Sequence, residues 1–143
     1  MAVVNPYVNF AGNTEEAFNF YKSVFGGEFI MVMRFKDVGG MDKLPAADLE
    51  KIMHIALPIG NGTILMGTDV LESMGQKLNA GDNFSLAIGT DSTEEADKFY
   101  AALSAGGKPT SPMKKEFWGA YFGMLTDKFG IQWMVSYDEQ HKP

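Results

Sequence analysis

The chain reads as an α+β protein made of two β-α-β-β-β modules in tandem. Three observations predict this. The nonapeptide Asn13-Thr14-Glu15-Glu16-Ala17-Phe18-Asn19-Phe20-Tyr21 returns 79 positions later as Ser92-Thr93-Glu94-Glu95-Ala96-Asp97-Lys98-Phe99-Tyr100, with six of nine residues identical. A glycine pair closes each copy, Gly26-Gly27 and Gly106-Gly107. Around both copies, β-rich runs are separated by turn residues in the same order.

The first run, Val3 to Phe10, predicts a strand, with Pro6 favouring an edge or bulged place. Gly12-Asn13 breaks it, and Asn13 or Thr14 is expected to cap a helix whose first turn carries Glu15 and Glu16. Ala17, Phe20, Tyr21, Val24 and Phe25 share one apolar face of that helix, and Gly26-Gly27 stops it. Glu28 to Phe35 predicts a second strand. Lys36 to Glu50 is a polar loop, long for a compact domain and expected to cover a site. Lys51 to Ile59 and Thr63 to Thr68 predict strands three and four, joined by a tight hairpin at Gly60-Asn61-Gly62.

Asp69 to Asp82 carries turn residues and little periodicity. Phe84 to Ile88 predicts strand five, and the second Thr-Glu-Glu-Ala helix runs to about Ser104. Lys108 to Met113 is a weak strand with two prolines. Glu116 to Leu125 predicts strand seven, Asp127-Lys128-Phe129-Gly130 a structural turn, and Ile131 to Tyr137 the last strand. The tail from Asp138 is polar and expected to fray. The expected organisation is a single domain over 1–143, with module 1 at about 3–69, module 2 at about 82–137 and a linker at 70–81.

Composition excludes several function classes. The net charge of -6 disfavours nucleic acid, which demands clustered Lys and Arg to neutralise phosphates. The chain has no cysteine, which removes disulfides, thiolate catalysis and Cys-based metal sites. No apolar run approaches membrane-spanning length, and the N-terminus has no basic or long apolar segment. A cytoplasmic protein without membrane contact is expected. Ten methionines suit both core filling and an adaptable pocket for apolar ligands.

The tandem β-α-β-β-β order resembles the vicinal oxygen chelate superfamily, which includes glyoxalase I, extradiol dioxygenases, fosfomycin-resistance proteins and bleomycin-binding proteins. Pro6-Tyr7, Phe10-Ala11-Gly12-Asn13, Phe20-Tyr21, Phe25-Gly26, His54, Met66 and Asp69 resemble its PhnB-like branch. So do Phe117-Trp118, Phe122-Gly123, Thr126-Asp127-Lys128-Phe129-Gly130 and Trp133-Met134. The resemblance spans about residues 3 to 137. It implies curved mixed sheets around a cavity lined by strands of both modules, and a homodimer.

The superfamily's enzymes commonly hold a divalent metal with His and Glu side chains. Carried over by position, those ligands fall near Pro6, near Leu65 or Met66, near Phe84 or Ser85, and near Met134. None of these can hold a hard metal. The expectation is therefore no metal and no cofactor; a metal site would need another geometry, for example His54 with Glu116 or Asp69. Some sequences of this branch carry a methyltransferase label. S-adenosylmethionine binding calls for a glycine-rich loop in a doubly wound sheet, and Gly60-x-Gly62 lies in a β-hairpin instead, so the label has no physical support.

His54 stands mid-strand. Alternation puts it with Ile52, Ala56 and Pro58, opposite a helix-packed face of Met53, Ile55 and Leu57. It is a half-buried histidine with a structural partner, or a polar contact that holds or protonates a ligand near neutral pH. In Glu116 to Phe122, alternation puts Trp118, Ala120 and Phe122 on one face and Phe117 and Tyr121 on the other. One set is core and the other walls a pocket. Trp133 has the same two readings. Asp69 reads as a turn former before a site acid. The ligand-binding candidates are thus His54, Glu116, Trp118, Phe122 and Trp133, for a small apolar or aromatic molecule. Three functions stay open: a metal-free small-molecule-binding protein, a divalent-metal-dependent lyase, isomerase or dioxygenase, and a ligand-free dimeric partner module. Fold alone does not choose among them.

Overall fold

A computed structural model describes residues 2–41 and 43–139. His141 lies outside the described residues. The chain divides into two compact units, one up to Asn79 and one from Ala80.

The first unit runs β1 (Tyr7–Phe10), α1 (Thr14–Phe25), β2 (Met31–Arg34), a 3-10 turn (Phe35–Asp37), the short α2 (Ala46–Leu49), β3 (Ile52–Pro58) and β4 (Ile64–Asp69). A further 3-10 turn spans Glu72–Met74. Its mixed sheet has the order β1-β4-β3-β2, with β1 parallel to β4 and the other pairs antiparallel. The second unit runs β5 (Leu86–Gly89), α3 (Thr93–Ser104), β6 (Lys108–Lys115), β7 (Tyr121–Thr126) and β8 (Gln132–Tyr137), in the order β5-β8-β7-β6. Both units therefore present the expected β-α-β-β-β order, and the α+β class holds. Among the described residues, no helix is long and apolar enough to cross a membrane.

Each helix covers one face of its sheet. In the first unit that face carries Val8, Phe10, Ile55, Leu57 and Leu65, all buried, against Ala17, Phe18, Tyr21 and Val24 of α1. Gly67 belongs to it: a Cβ there would stand 2.6 Å from Phe18 Cε1, so only glycine lets the helix come this close. In the second unit the covered face holds Gly123, Leu125, Trp133 and Val135.

Several boundaries differ from the sequence expectations. β1 begins at Tyr7, because Pro6 has no N–H to give; its carbonyl accepts from Met66 N at 3.1 Å. β6 continues to Lys115 despite two prolines, with register shifts that accommodate them. Glu116 to Gly119 is not strand. The Gly119 N–H bonds the Glu116 carbonyl at 3.0 Å, and Gly119 has φ +101°, so the aromatic pair Phe117-Trp118 rides on a hairpin turn. The loop from Lys36 and the stretch after Asp69 both contain short helical turns.

Candidate functional site

The face of the first sheet turned away from α1 carries the most chemistry. Alternation places Tyr7 and Asn9 of β1, Met66 and Thr68 of β4, His54 and Ala56 of β3, and Met31 and Met33 of β2 on it. The register makes two rows. Tyr7 pairs with Met66, Met66 with Ala56, and Ala56 with Met31; in the next row Asn9 pairs with Thr68, and His54 with Met33. Tyr7 and Met31 are exposed, while Met33, His54, Met66 and Thr68 are half-buried. The sequence expectation that His54 faces away from the helix agrees with the buried state of Ile55 and Leu57.

Tyr7 reaches across β4 to His54, and its hydroxyl lies 3.1 Å from Nδ1. The two rings are 5.6 Å apart and tilted at 33°. Burial raises the Tyr7 phenol above its ordinary value, with a hydrogen bond to Thr68 pulling the other way. The phenol therefore keeps its proton at neutral pH. When it donates to Nδ1, the neutral imidazole carries its own proton on Nε2. Among the described residues no partner takes up Nε2, so it can meet a ligand. Around this pair, Met31, Met33 and Met66 offer flexible, polarisable side chains that adapt to an apolar body.

In the second unit, Glu116, Trp118 and Phe122 gather near the β6–β7 turn. The Trp118 and Phe122 rings stand 5.7 Å apart at 68°, and Phe117 and Trp118 5.1 Å apart at 89°, both edge-on geometries. Phe117 is 95% exposed and Trp118 53%. Tyr121 points the other way and donates to Asp97 Oδ1 on α3 at 2.6 Å. Alternation thus separated Tyr121 from Phe122 correctly. The Glu116 side chain is mostly covered, with one oxygen 3.8 Å from Lys114 Nζ.

The structure takes the core reading for Trp133 and gives Asp69 a role the sequence did not assign. Trp133, a candidate ligand contact, is 1% exposed under α3, and its Nε1–H donates to Asp127 Oδ2 at 2.8 Å. The other oxygen of Asp127 accepts from the Phe129 and Ile131 N–H groups at 2.8 and 3.1 Å. Trp133 is thereby a core anchor tied to its turn, not part of an open wall. Asp69 is 3% exposed and accepts four hydrogen bonds: from Gly12 N, Thr14 N, Thr14 Oγ1 (2.6 Å) and Ile52 N (2.8 Å). It caps α1 from the end of β4, while the expected cap Asn13 contributes no side-chain bond. Both oxygens of Asp69 are engaged by the protein, Oδ1 three times and Oδ2 once.

Tyr7, Met31 and Met33 escaped sequence analysis as site residues. β1 and β3 are separated by β4, so no local pattern pairs Tyr7 with His54. For the methionines, the signal was the unusual Met count and the period-two placement of Met31 and Met33. Among the described residues, no three His, Asp or Glu side chains come together as a metal-binding group.

Known proteins place this geometry in context. The family described as 3-demethylubiquinone-9 3-methyltransferase matches residues 2–136. The crystal structure of protein PA1353 from Pseudomonas aeruginosa is 34% identical, covers 96% of this chain and 98% of its own, and has a TM-score of 0.83. A putative 3-demethylubiquinone-9 3-methyltransferase, PhnB protein, from Bacillus cereus is 24% identical over 95% of this chain and 99% of its own, with a TM-score of 0.76. A glyoxalase/bleomycin resistance protein/dioxygenase family enzyme from Burkholderia phytofirmans shares the fold at 20% identity, covering 94% of this chain and 98% of its own, with a TM-score of 0.63. The chain belongs to the 3-demethylubiquinone-9 3-methyltransferase family, and its fold is that of the glyoxalase/bleomycin resistance protein/dioxygenase family enzyme.

Proposed function

We propose that the protein binds a small apolar or aromatic molecule without a divalent metal, and that the open face of the first sheet is where it binds. One observation carries this reading: the Tyr7–His54 pair, with Nε2 unclaimed, set among Met31, Met33 and Met66 on a half-exposed sheet face. The methionines supply adaptable apolar area, and the imidazole supplies one directional contact to a hydroxyl or carbonyl of the ligand. Tyr7 acts through His54 by fixing its tautomer and ring orientation. In the second unit, Trp118 and Phe122 offer aromatic area of the same kind, with Glu116 close by in sequence. The family's methyltransferase description finds no support here: Gly60-Asn61-Gly62 belongs to the β3–β4 hairpin, where Ile59 N meets Thr63 O at 2.9 Å.

The test is native mass spectrometry of the purified protein with a panel of small aromatic and apolar molecules, followed by titration of each hit. His54→Ala is expected to weaken a hit about tenfold, the worth of one hydrogen bond to a polar ligand group. Unchanged affinity with a lowered melting temperature would make His54 structural. Elemental analysis of protein purified without chelator accompanies the titration. Stoichiometric zinc, nickel, manganese or iron would overturn the metal-free reading in favour of a metal-dependent enzyme. A panel without hits and a stable dimer would favour a partner module.

A further inference from the structure

A second recess lies in the first unit, away from the rows that hold His54. It is an open cleft of about 660 Å³, within the usual range for small-molecule sites. Ala11 and Val70, which directly follow β1 and β4, line it. Pro45 and Asp48 come from the long loop after β2, and Ser73, Lys77 and Leu78 from the stretch after β4. The sequence marked that loop as a cover and that stretch as a plain linker. Together they wall this cleft.

The charges of the lining fall into two kinds. Asp48 is buried and fully engaged: Lys51 Nζ donates to Oδ1 at 2.8 Å and Ser73 Oγ to Oδ2 at 2.6 Å. That triad fixes the floor, and its two opposite charges offset each other. Glu72 and Lys77 are exposed, and among the described residues neither side chain makes a hydrogen bond or close ion pair, although the Glu72 carboxylate helps to raise the Lys51 ammonium. The cleft therefore offers one carboxylate and one ammonium without hydrogen-bond partners beside an apolar patch of Pro45, Val70 and Leu78. A simple anion would meet Lys77 but also the carboxylates of Glu72 and Asp48. A simple cation would meet Lys51 and Lys77. A molecule carrying both charges satisfies both groups.

We propose that this cleft binds a zwitterionic molecule of the α-amino-acid class with an apolar side chain. Its carboxylate meets Lys77, its ammonium meets Glu72, and its side chain lies on Pro45, Val70 and Leu78. The site is independent of the one on the open sheet face.

L-Leucine is the probe, titrated into the full chain while backbone amide resonances are followed by NMR. The expected result is saturable shifts at Val70, Ser73 and Leu78. N-acetyl-L-leucine and isoamylamine, which each lack one of the two charges, should bind at least about tenfold more weakly, as should L-leucine to Lys77→Gln and to Glu72→Gln. Both substitutions are at exposed positions, so the fold is kept. No saturable shift, equal binding of the singly charged analogues, or shifts confined to Met33 and His54 would each overturn the proposal.

Discussion

The two units share one plan but finish it differently, and the differences separate framework from site. Counted from the hairpin that follows, His54 on β3 and Phe122 on β7 take the same position. Ile59 N bonds Thr63 O in one hairpin, and Asp127 N bonds Ile131 O in the other. The first unit places a polar pair on its open face, and the second places an aromatic cluster there. The helices contrast as well. Ser92 caps α3 from within, accepting from Glu95 N at 3.0 Å. α1 is capped from outside by Asp69, 55 residues away from Thr14. The same sequence pattern can thus be completed by a neighbour in the chain or by a neighbour in space.

The largest effect expected from this contrast is at Asp69. Asp69→Ala removes one buried carboxylate and leaves four donors unmet at Gly12, Thr14 and Ile52, so it should cost about 3–5 kcal/mol. Urea unfolding followed by circular dichroism measures the loss, and amide exchange should show α1 losing protection before α3. Uniform loss in both helices would break the comparison. Ser92→Ala should cost about 1 kcal/mol, the usual worth of a local cap, with faster exchange confined to the first turn of α3. An equal cost at both positions would mean that the distance of the cap in sequence is immaterial.

The smallest effect concerns pH. The hydrogen bond from Lys51, then that from Ser73, holds the Asp48 carboxyl below its usual value. A depressed folded-state pKa contributes stability above the ordinary aspartate range, and that contribution is lost as pH falls through the folded value. Melting temperature measured downward from pH 6 should therefore fall more steeply in the native protein than in Asp48→Asn. Parallel curves would show that the triad is too well solvated to matter.

The sequence made the regular elements legible, because their causes are local. Acidic first turns, apolar faces and terminal glycines located both helices, and period-two alternation put His54 opposite Ile55 and Leu57. What stayed hidden depends on strand order. Asp69 looked like a turn former because its four donors lie 17 to 57 residues away. Trp133 read as core or as pocket wall because alternation gives two faces without saying which one a helix covers, and the structure takes the core reading. Phe117 and Trp118 read as strand because their β preference is strong, whereas Gly119 sets a turn. Tyr7 met His54 only once β1 and β3 were arranged on either side of β4.

Gly12, Thr14 and Ile52 all wait on a single carboxylate at the end of β4. During synthesis from the N-terminus, α1 emerges long before that carboxylate does, and it acquires its terminator only when the ribosome has delivered residue 69. α3 needs no such delay, since Ser92 and Glu95 leave the exit tunnel almost together. The cap of α1 can therefore form only after residue 69 has been made, whereas that of α3 can form within its own first turn.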